Sequence, residues 1–444
     1  MTRMKESGID WIGQIPEEWG VRPIKHIVET PVTDGPHETP VLYETGIPFL
    51  SAEAVKDGVL DFNYKRGYIS LKDHDRFKKK ISPKKDDIFI VKSGATTGNV
   101  GIVNTDEIFD IWSPLALIRC NKTLAIQKYI YFYLLSTLFK SQVEFNWSFG
   151  TQQNIGMGVI ERIKVILPPV PEQQQIVEIL DKKTAQLDKV KSLLEEQIQK
   201  LKDYRSSLIY ETVTKGLDKT VPLKNSGIDW IGQVPEGWEI VKFKYLFNTS
   251  KGLSITKECL VDEGIPVINY GQIHSSMTKQ VRSCDVRLPF VPDYYLSKKG
   301  VNLNQGDFVF ADTSEDLEGA GNFSTRLDST GQLLAGYHTI IVRLNDYAEH
   351  NFRYFMHLFD SLAIRKQIQN KVSGVKVYSV TQGILNSIFV ITPPKNEQQK
   401  IANLLDKRTA QIDNLIQIKN QQIENINKQR QTLIYDYVTG KRRA

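Results

Sequence analysis

Cysteine is scarce: three in 444 residues, Cys120, Cys259 and Cys284. So few thiols exclude a disulfide scaffold, and Cys259 and Cys284 lie too far apart for a zinc knuckle. They read as reduced thiols of a cytoplasmic protein. Long apolar runs are missing as well. No stretch approaches the roughly 18 apolar residues of a membrane span, and neither terminus carries an apolar signal segment. The histidines fall in no metal-ligand spacing, with no HExxH and no CxxC. KSGATTGNVG (Lys92 to Gly101) has the outline of a phosphate loop without its GK[ST] ending. No Gly-rich turn suits S-adenosylmethionine. The Pro168-Pro169 and Pro393-Pro394 pairs lack the flanking Asn or Asp and aromatic ring that grip an amine in amino-methyltransferases. These absences leave no catalytic constellation and argue for binding. Charge does not decide the partner. Lys and Arg number 57 against 51 Asp and Glu, a net +6 compatible with a polyanion but common elsewhere.

What the chain has is itself, twice. At this length two to four domains are expected, and repeats set their order. SGIDWIGQIPEEW (Ser7 to Trp19) returns as SGIDWIGQVPEGW (Ser226 to Trp238). Ile9, Trp11, Ile12, Pro16 and Trp19 suggest an extended strap laying aromatics on a domain surface. PEQQQIVEILDKKTAQLD, from Pro171, returns as NEQQKIANLLDKRTAQID, from Asn396, with Glu172 and Glu397 lying 225 positions apart. Prolines end a strand and launch each helix. Asn396 stands where an N-cap belongs, and Gly216 and Gly440 are natural stops. The layout is therefore strap, domain, long helix, then the same again: 1–169, 170–217, 218–394 and 395–444.

Each helix carries a heptad track. In the first copy it runs through Ile176, Leu180, Leu187, Val190, Leu194, Leu201 and Leu208. In the second it runs through Ile401, Leu405, Ile412, Leu415, Ile426 and Leu433. Helices of this length span ~64 Å. Their apolar stripe is too narrow for a globular core, so they are expected to pair with each other, antiparallel about a pseudo-twofold axis. Surplus apolar residues such as Ile179, Leu193, Ile416 and Ile423 favour further partners.

Between strap and helix the two blocks share outline rather than sequence. GIPFLSAEAV (from Gly46) parallels GIPVINYGQI (from Gly264), and KKDDIFIVKSGATTGNVGIV (from Lys84) parallels NQGDFVFADTSEDLEGAGNF (from Asn304). SPLALIRC and YHTIIVRL read as strands. IQKYIYFYLLSTLF and NFRYFMHLFDSLAI read as single helices. Asp86-Asp87 and Glu315-Asp316 read as solvated loops. Arg76, Lys78, Lys79, Lys80, Lys84 and Lys85 form a basic run suited to phosphates. Lys92, Ser93, Thr96, Thr97 and Asn99, with Thr151, Gln152, Gln153 and Asn154, offer the groups that read base edges. Trp147 and Phe149 stand beside that second loop and suit packing better than stacking.

SGIDWIGQxPxxW, the Gly-Thr-Gln-Gln-Asn loop ahead of a Pro-Pro exit, and EQQxIxxxLDxxTAQxD together resemble the specificity subunit of Type I restriction–modification systems. The resemblance covers essentially the whole chain. It implies a mixed α/β, duplicated fold: two target-recognition domains, each binding half of an interrupted double-stranded DNA sequence, separated by a long antiparallel helical coiled coil. The helices would dock two modification subunits, which bind S-adenosylmethionine and methylate a flipped adenine. Restriction subunits using ATP and Mg would complete the assembly. The chain itself would be non-catalytic and carry no cofactor. The second block has VSGVKVYSV where the first has FGTQQNIGM, so the Gln-Gln-Asn loop belongs to the first domain alone. Lys376 and Tyr378 hold its place in the second. A coiled-coil assembly scaffold with incidental DNA affinity is the competing reading.

Overall fold

The computed structural model describes all residues except 1–2, 10–11, 147, 150–152, 276–278 and 375. The chain forms two compact units: residues 1–195 with 420–444, and residues 196–419. In the first unit the strand Ile88–Val91 lies antiparallel to both Leu115–Ile118 and Val100–Ile102, within a six-stranded sheet. IFIV and LALI are buried throughout, as strands covered on both faces must be. Alternation still divides them. Ile88, Ile90, Ala116 and Ile118 join the core that holds Tyr129 and Phe132, while Phe89, Val91, Leu115 and Leu117 join one with Leu50 and Ile111.

The second unit repeats this with other residues. Phe308, Phe310, Ile340 and Val342 meet Phe355 and Phe359, and Val309, Ala311 and Ile341 meet Ile268 and Ile273. Both proposed strands are present, as Leu115–Ile118 and Thr339–Leu344. Neither proposed single helix is one helix. Each is two, Gln127–Leu135 with Thr137–Phe145 and Phe352–Asp360 with Leu362–Gln369. A serine makes the corner in both. Ser136 and Ser361 take extended backbone angles and donate their hydroxyls to Tyr133 O and Leu358 O, each at 2.6 Å.

The first and last strands of each block pair. Gly20–Pro23 runs antiparallel to Lys164–Leu167, and Glu239–Lys242 to Phe389–Thr392. Over them sit the straps, each a short hairpin (Met4–Glu6 with Gln14–Pro16, Leu223–Asn225 with Gln233–Pro235). Ile9, Ile12, Trp19 and Trp238 are buried, whereas Trp230 is 41% exposed. Trp11 lies outside the described residues.

The long helices span Val170–Lys215 and Lys395–Val438. Asn396 is inside the first turn and is not the cap. The main-chain N–H groups of Glu397 and Gln398 instead reach Pro394 O, because the Pro-Pro exit already holds the chain in position. Gly216 and Gly440 end the two helices with φ of 71° and 73°. In the first unit Ile176, Val177 and Leu180 pack with Ile434, Tyr437 and Val438. In the second, Ile209 and Val213 pack with Ile401, Ala402 and Leu405. In each unit the beginning of one helix meets the end of the other, so the paired segments run antiparallel.

Polar contacts recur across the repeat, most of them 225 residues apart. Gln173 donates to Pro168 O (2.9 Å) and accepts from Ile126 N (2.8 Å); Gln398 donates to Pro393 O (2.8 Å) and accepts from Asn351 N (2.9 Å). The Tyr129 and Tyr354 hydroxyls donate to Ile166 O (2.9 Å) and Ile391 O (3.1 Å). Trp19 and Trp238 donate their indole N–H to Glu172 and Glu397, both at 2.9 Å. Lys128 with Asp181 reappears as Arg353 with Asp406. Such pairs tie each domain to the helix that follows it.

Candidate nucleic-acid interface

In the first unit two loops that the sequence proposed come together. The strand Ile88–Val91 ends at Lys92, and the chain turns through Gly94 and Gly98, whose φ of 106° and 89° favour glycine. Asn99 N donates to Thr96 O, and Val91 N to Asn99 O, closing the loop. Against it lies the strand Gln153–Asn154, paired with Ser148–Phe149. Ile155 N donates to Lys92 O (2.7 Å), Gly94 N to Gln153 O (3.2 Å), and the Thr97 hydroxyl to Gln153 O (3.1 Å). Ser93 bridges to Asn154. Ser93 is half-buried, Thr97 is buried, and Thr96, Asn99, Gln153 and Asn154 are exposed. Thr151, Gln152, Gly150 and Trp147 lie outside the described residues.

The basic run meets its own acids. Lys78 pairs with Asp75 (2.5 Å), Arg76 with Asp73 (2.6 Å), and Lys85 with Asp106 (3.1 Å). Lys79 is exposed. Lys80 and Lys92 both bind Asp34, at 2.6 Å each, and His37 approaches the same carboxylate at 3.0 Å. Burial opposes the charge of Asp34, but hydrogen bonds from the two lysines prevail and hold it below the usual carboxylate range. Sequence reasoning missed Asp34 as the hub that fixes two of its candidate lysines. Asp87 is not in a solvated loop. It is buried, takes a bidentate contact from Arg119 (2.8 and 2.6 Å) and caps Lys84 N. Asp307 repeats this with Arg343 and Asn304 N.

The second unit builds the same arrangement from different side chains. Val380 N donates to Asp312 O (2.8 Å), as Ile155 N does to Lys92 O, and Thr313–Ser314 pairs with Tyr378–Ser379. Tyr378 therefore holds the place of Gln153, and Asp312 that of Lys92. Lys376 is exposed and lies just ahead of the strand Tyr378–Ser379. Gly321, φ 89°, and Asn322 stand where Gly98 and Asn99 stand. Ala311 N donates to Asn322 O and Asn322 N to Gly319 O, matching the Asn99 pattern. The shared Gly-Asn of GNV and GNF is the sequence signal for Asn322.

Along the helix tracks, Ile176, Leu180, Ile401, Leu405 and Ile412 are buried. Leu187, Leu194, Leu201, Leu208, Ile426 and Leu433 are half-buried. Val190 and Leu415, equivalent positions, are each 46% exposed, and so are their neighbours Leu193 and Ile418, at 48% each.

With this geometry in hand, comparison with known proteins is specific. The family model of the Type I restriction modification DNA specificity domain matches residues 16–202 and again 235–428. The chain belongs to this family. It is similar to the putative type I restriction enzyme MjaX specificity subunit of Methanocaldococcus jannaschii, 28% identical over 98% of this chain and 96% of that protein. The EcoKI specificity subunit of Escherichia coli is 23% identical over 97% and 90%. A solved structure, from work on complex assembly and conformational transition of the type I R-M system, shares the fold. Its TM-score is 0.67 at 14% identity, covering 96% of this chain and 99% of that one. The family establishes a DNA-specificity subunit with two repeated specificity domains and a long central helix. A scaffold with incidental DNA affinity is not favoured. Among the described residues no helix is long and apolar enough to cross a membrane.

Proposed function

We propose that this chain is the non-catalytic, cytoplasmic reading subunit of its complex, with each unit's loop and the short strand paired to it reading one half of an interrupted DNA target. The observation that carries this is the matching set of backbone hydrogen bonds in the two units with exchanged side chains. Lys92, Ser93, Thr97, Gln153 and Asn154 in one unit stand where Asp312, Thr313, Ala320, Tyr378 and Ser379 stand in the other. Matching loops with unlike side chains suit two unlike half-sites, because specificity lies in the donor and acceptor pattern that the exposed groups present. The exposed apolar pairs Val190–Leu193 and Leu415–Ile418 recur at equivalent positions of the two helices. They support docking of two modification subunits, which would hold S-adenosylmethionine, with ATP and Mg belonging to restriction subunits. The test exchanges Gly20–Pro168 for the block of another family member and maps methylated sites in host DNA. One half of the site changes and the other stays. A change in both halves, or in neither, refutes the assignment.

A further inference from the structure

The Ser136 and Ser361 corners are alike, but what flanks them is not. In the second unit the helix Leu362–Gln369, just past the corner, carries Arg365, whose guanidinium holds the turn that closes the loop 313–322. It donates to Glu318 O, to Gly321 O (3.3 Å) and to Asn322 Oδ1 (2.9 Å). Asn322 is half-buried there, whereas its counterpart Asn99 is exposed. The place of Arg365, four residues past the serine, is taken in the first unit by Lys140, which is also exposed. On the other side of the corner stands Asp360, its side chain 9% exposed. It binds Lys279 (2.8 Å) and Arg205 of the long helix (2.9 Å). Burial opposes the charge of Asp360, but the two cations prevail and hold it below the usual carboxylate range.

The first unit shows which of these contacts the scaffold needs. Arg205 also reaches Asp413 (3.1 Å), and that pair reappears 225 positions away as Arg430 with Asp188 (3.5 Å). Asp360 and Lys279 do not reappear. Leu135 precedes the first corner, and Gly58 stands at the place of Lys279, since Val59 pairs with Ile102 as Gln280 does with Thr325. Gly58 takes φ 84° freely, whereas Lys279 keeps φ 78° against the steric cost of its Cβ. A carboxylate buried between cations seldom gains as much as its desolvation costs. Both costs fall on one unit, while the other folds on the same plan without them, so stability does not account for them.

We infer that Arg365 is a specificity-positioning residue: its planar fork fixes the second reading loop on the Ser361 corner, and Asp360, with Lys279 and Arg205, fixes that corner to the long helix. This role rests on the reading of the loops as DNA-facing and deepens it. Arginine suits the task because its donors lie in one rigid plane and meet three loop acceptors at once, which lysine, a point charge on a flexible stem, does not match. Hydrogen bonds to base edges need their donors and acceptors placed to within about 0.5 Å. The loop begins at Thr313–Ser314, the strand that pairs with Tyr378–Ser379, so holding its far end at Glu318, Gly321 and Asn322 sets both reading segments.

Full-length wild type, Arg365→Lys and Asp360→Asn are each used to select binders from duplex DNA randomised over both half-sites, and each is unfolded in urea. Arg365→Lys places the first unit's own residue at this position, so its unfolding midpoint should not move. Base preference should fall by about fivefold or more in one half-site, the worth of a single lost base contact, and stay as in wild type in the other. Asp360→Asn should relax the same half. If Arg365→Lys leaves both halves as they were, relaxes both alike, or relaxes one only in step with a lowered midpoint, the positioning role is overturned. Tyr378→Ala/Ser379→Ala tests the loop reading separately. A half-site relaxed by that variant and not by Arg365→Lys removes the clamp and keeps the loop reading; no change in either half with Tyr378→Ala/Ser379→Ala removes both.

Discussion

Gln173 and Gln398 offer the sharpest test of the duplication as physics. Each is fully buried in the first turn of its helix, and each holds a carbonyl of the Pro-Pro exit with its amide N–H and, with its oxygen, a main-chain N–H at the start of an earlier helix, Gln127–Leu135 or Phe352–Asp360. Leucine has nearly the same volume, so Gln173→Leu or Gln398→Leu preserves packing and strands the two closest partners, one donor and one acceptor, while Leu124 O (3.2 Å) or His350 Nδ1 (3.3 Å) loses a longer contact. A stranded buried group costs about 1–3 kcal/mol. Two of them would bring roughly 2–6 kcal/mol, and the half-buried position of Asn351 favours the lower part of that range. Against a typical ~5–15 kcal/mol for a domain this is a large loss. Urea unfolding gives its size, and amide hydrogen exchange locates it. Exchange should rise around 124–126 in the first variant and around 350–351 in the second. The two losses should agree within about 1 kcal/mol, because the paired bonds are the same lengths to 0.1 Å. A loss under about 0.5 kcal/mol in either variant, or one several times the other, would refute the equivalence of the joints.

Three further outcomes follow from particular contacts. Burial pushes the His357 imidazole down to about 4. The unfolded chain therefore binds the proton first, and stability falls as pH drops from about 6.5 to about 4, by up to ~3 kcal/mol; His357→Gln should flatten that slope, and a wild type that gains stability on acidification would contradict it. Gly440→Ala would place a Cβ 2.5 Å from Pro16 at positive φ, lowering stability by about 1–3 kcal/mol in thermal or urea unfolding. Gly216→Ala should do likewise against Trp238, 3.0 Å away. Inserting a turn or more of helix after Thr184 should change the gap between methylated half-sites and leave their sequences intact, as read by methylation-sensitive sequencing; an unchanged gap would argue against the helices as spacers.

Much of the architecture was legible because duplication writes each signal twice. The glycine stops, the Pro-Pro exits and the strands of the central sheets all stood in matching places. What stayed hidden depends on partners distant in sequence. Nothing local announces that Asp34 will take both Lys80 of the basic run and Lys92 of the polar loop. Asp87 looked solvated because its partner Arg119 comes from the neighbouring strand. Ser136 and Ser361 were read through as helix because period alone cannot show a corner that a hydroxyl caps. Other signals were present and passed over. Lys128–Asp181 and Arg353–Asp406 keep charge and spacing across the repeat. Of the candidate interface, the polar loops were visible, while the main-chain bonds that join them, Ile155 N to Lys92 O and Val380 N to Asp312 O, form only in three dimensions.

The discontinuity of the first unit bears on how the chain is made. Residues 196–419 form one uninterrupted compact unit, whereas residues 1–195 require 420–444. During synthesis the second unit has all its parts once Lys419 has emerged. The first must wait for Ile434, Tyr437 and Val438 to cover Ile176 and Leu180. Closing contacts over more than 250 residues is slow, and an apolar face left open meanwhile invites association. A ribosome that stalls within the last turns would thus release a chain whose N-terminal domain, translated first, is the one left incomplete.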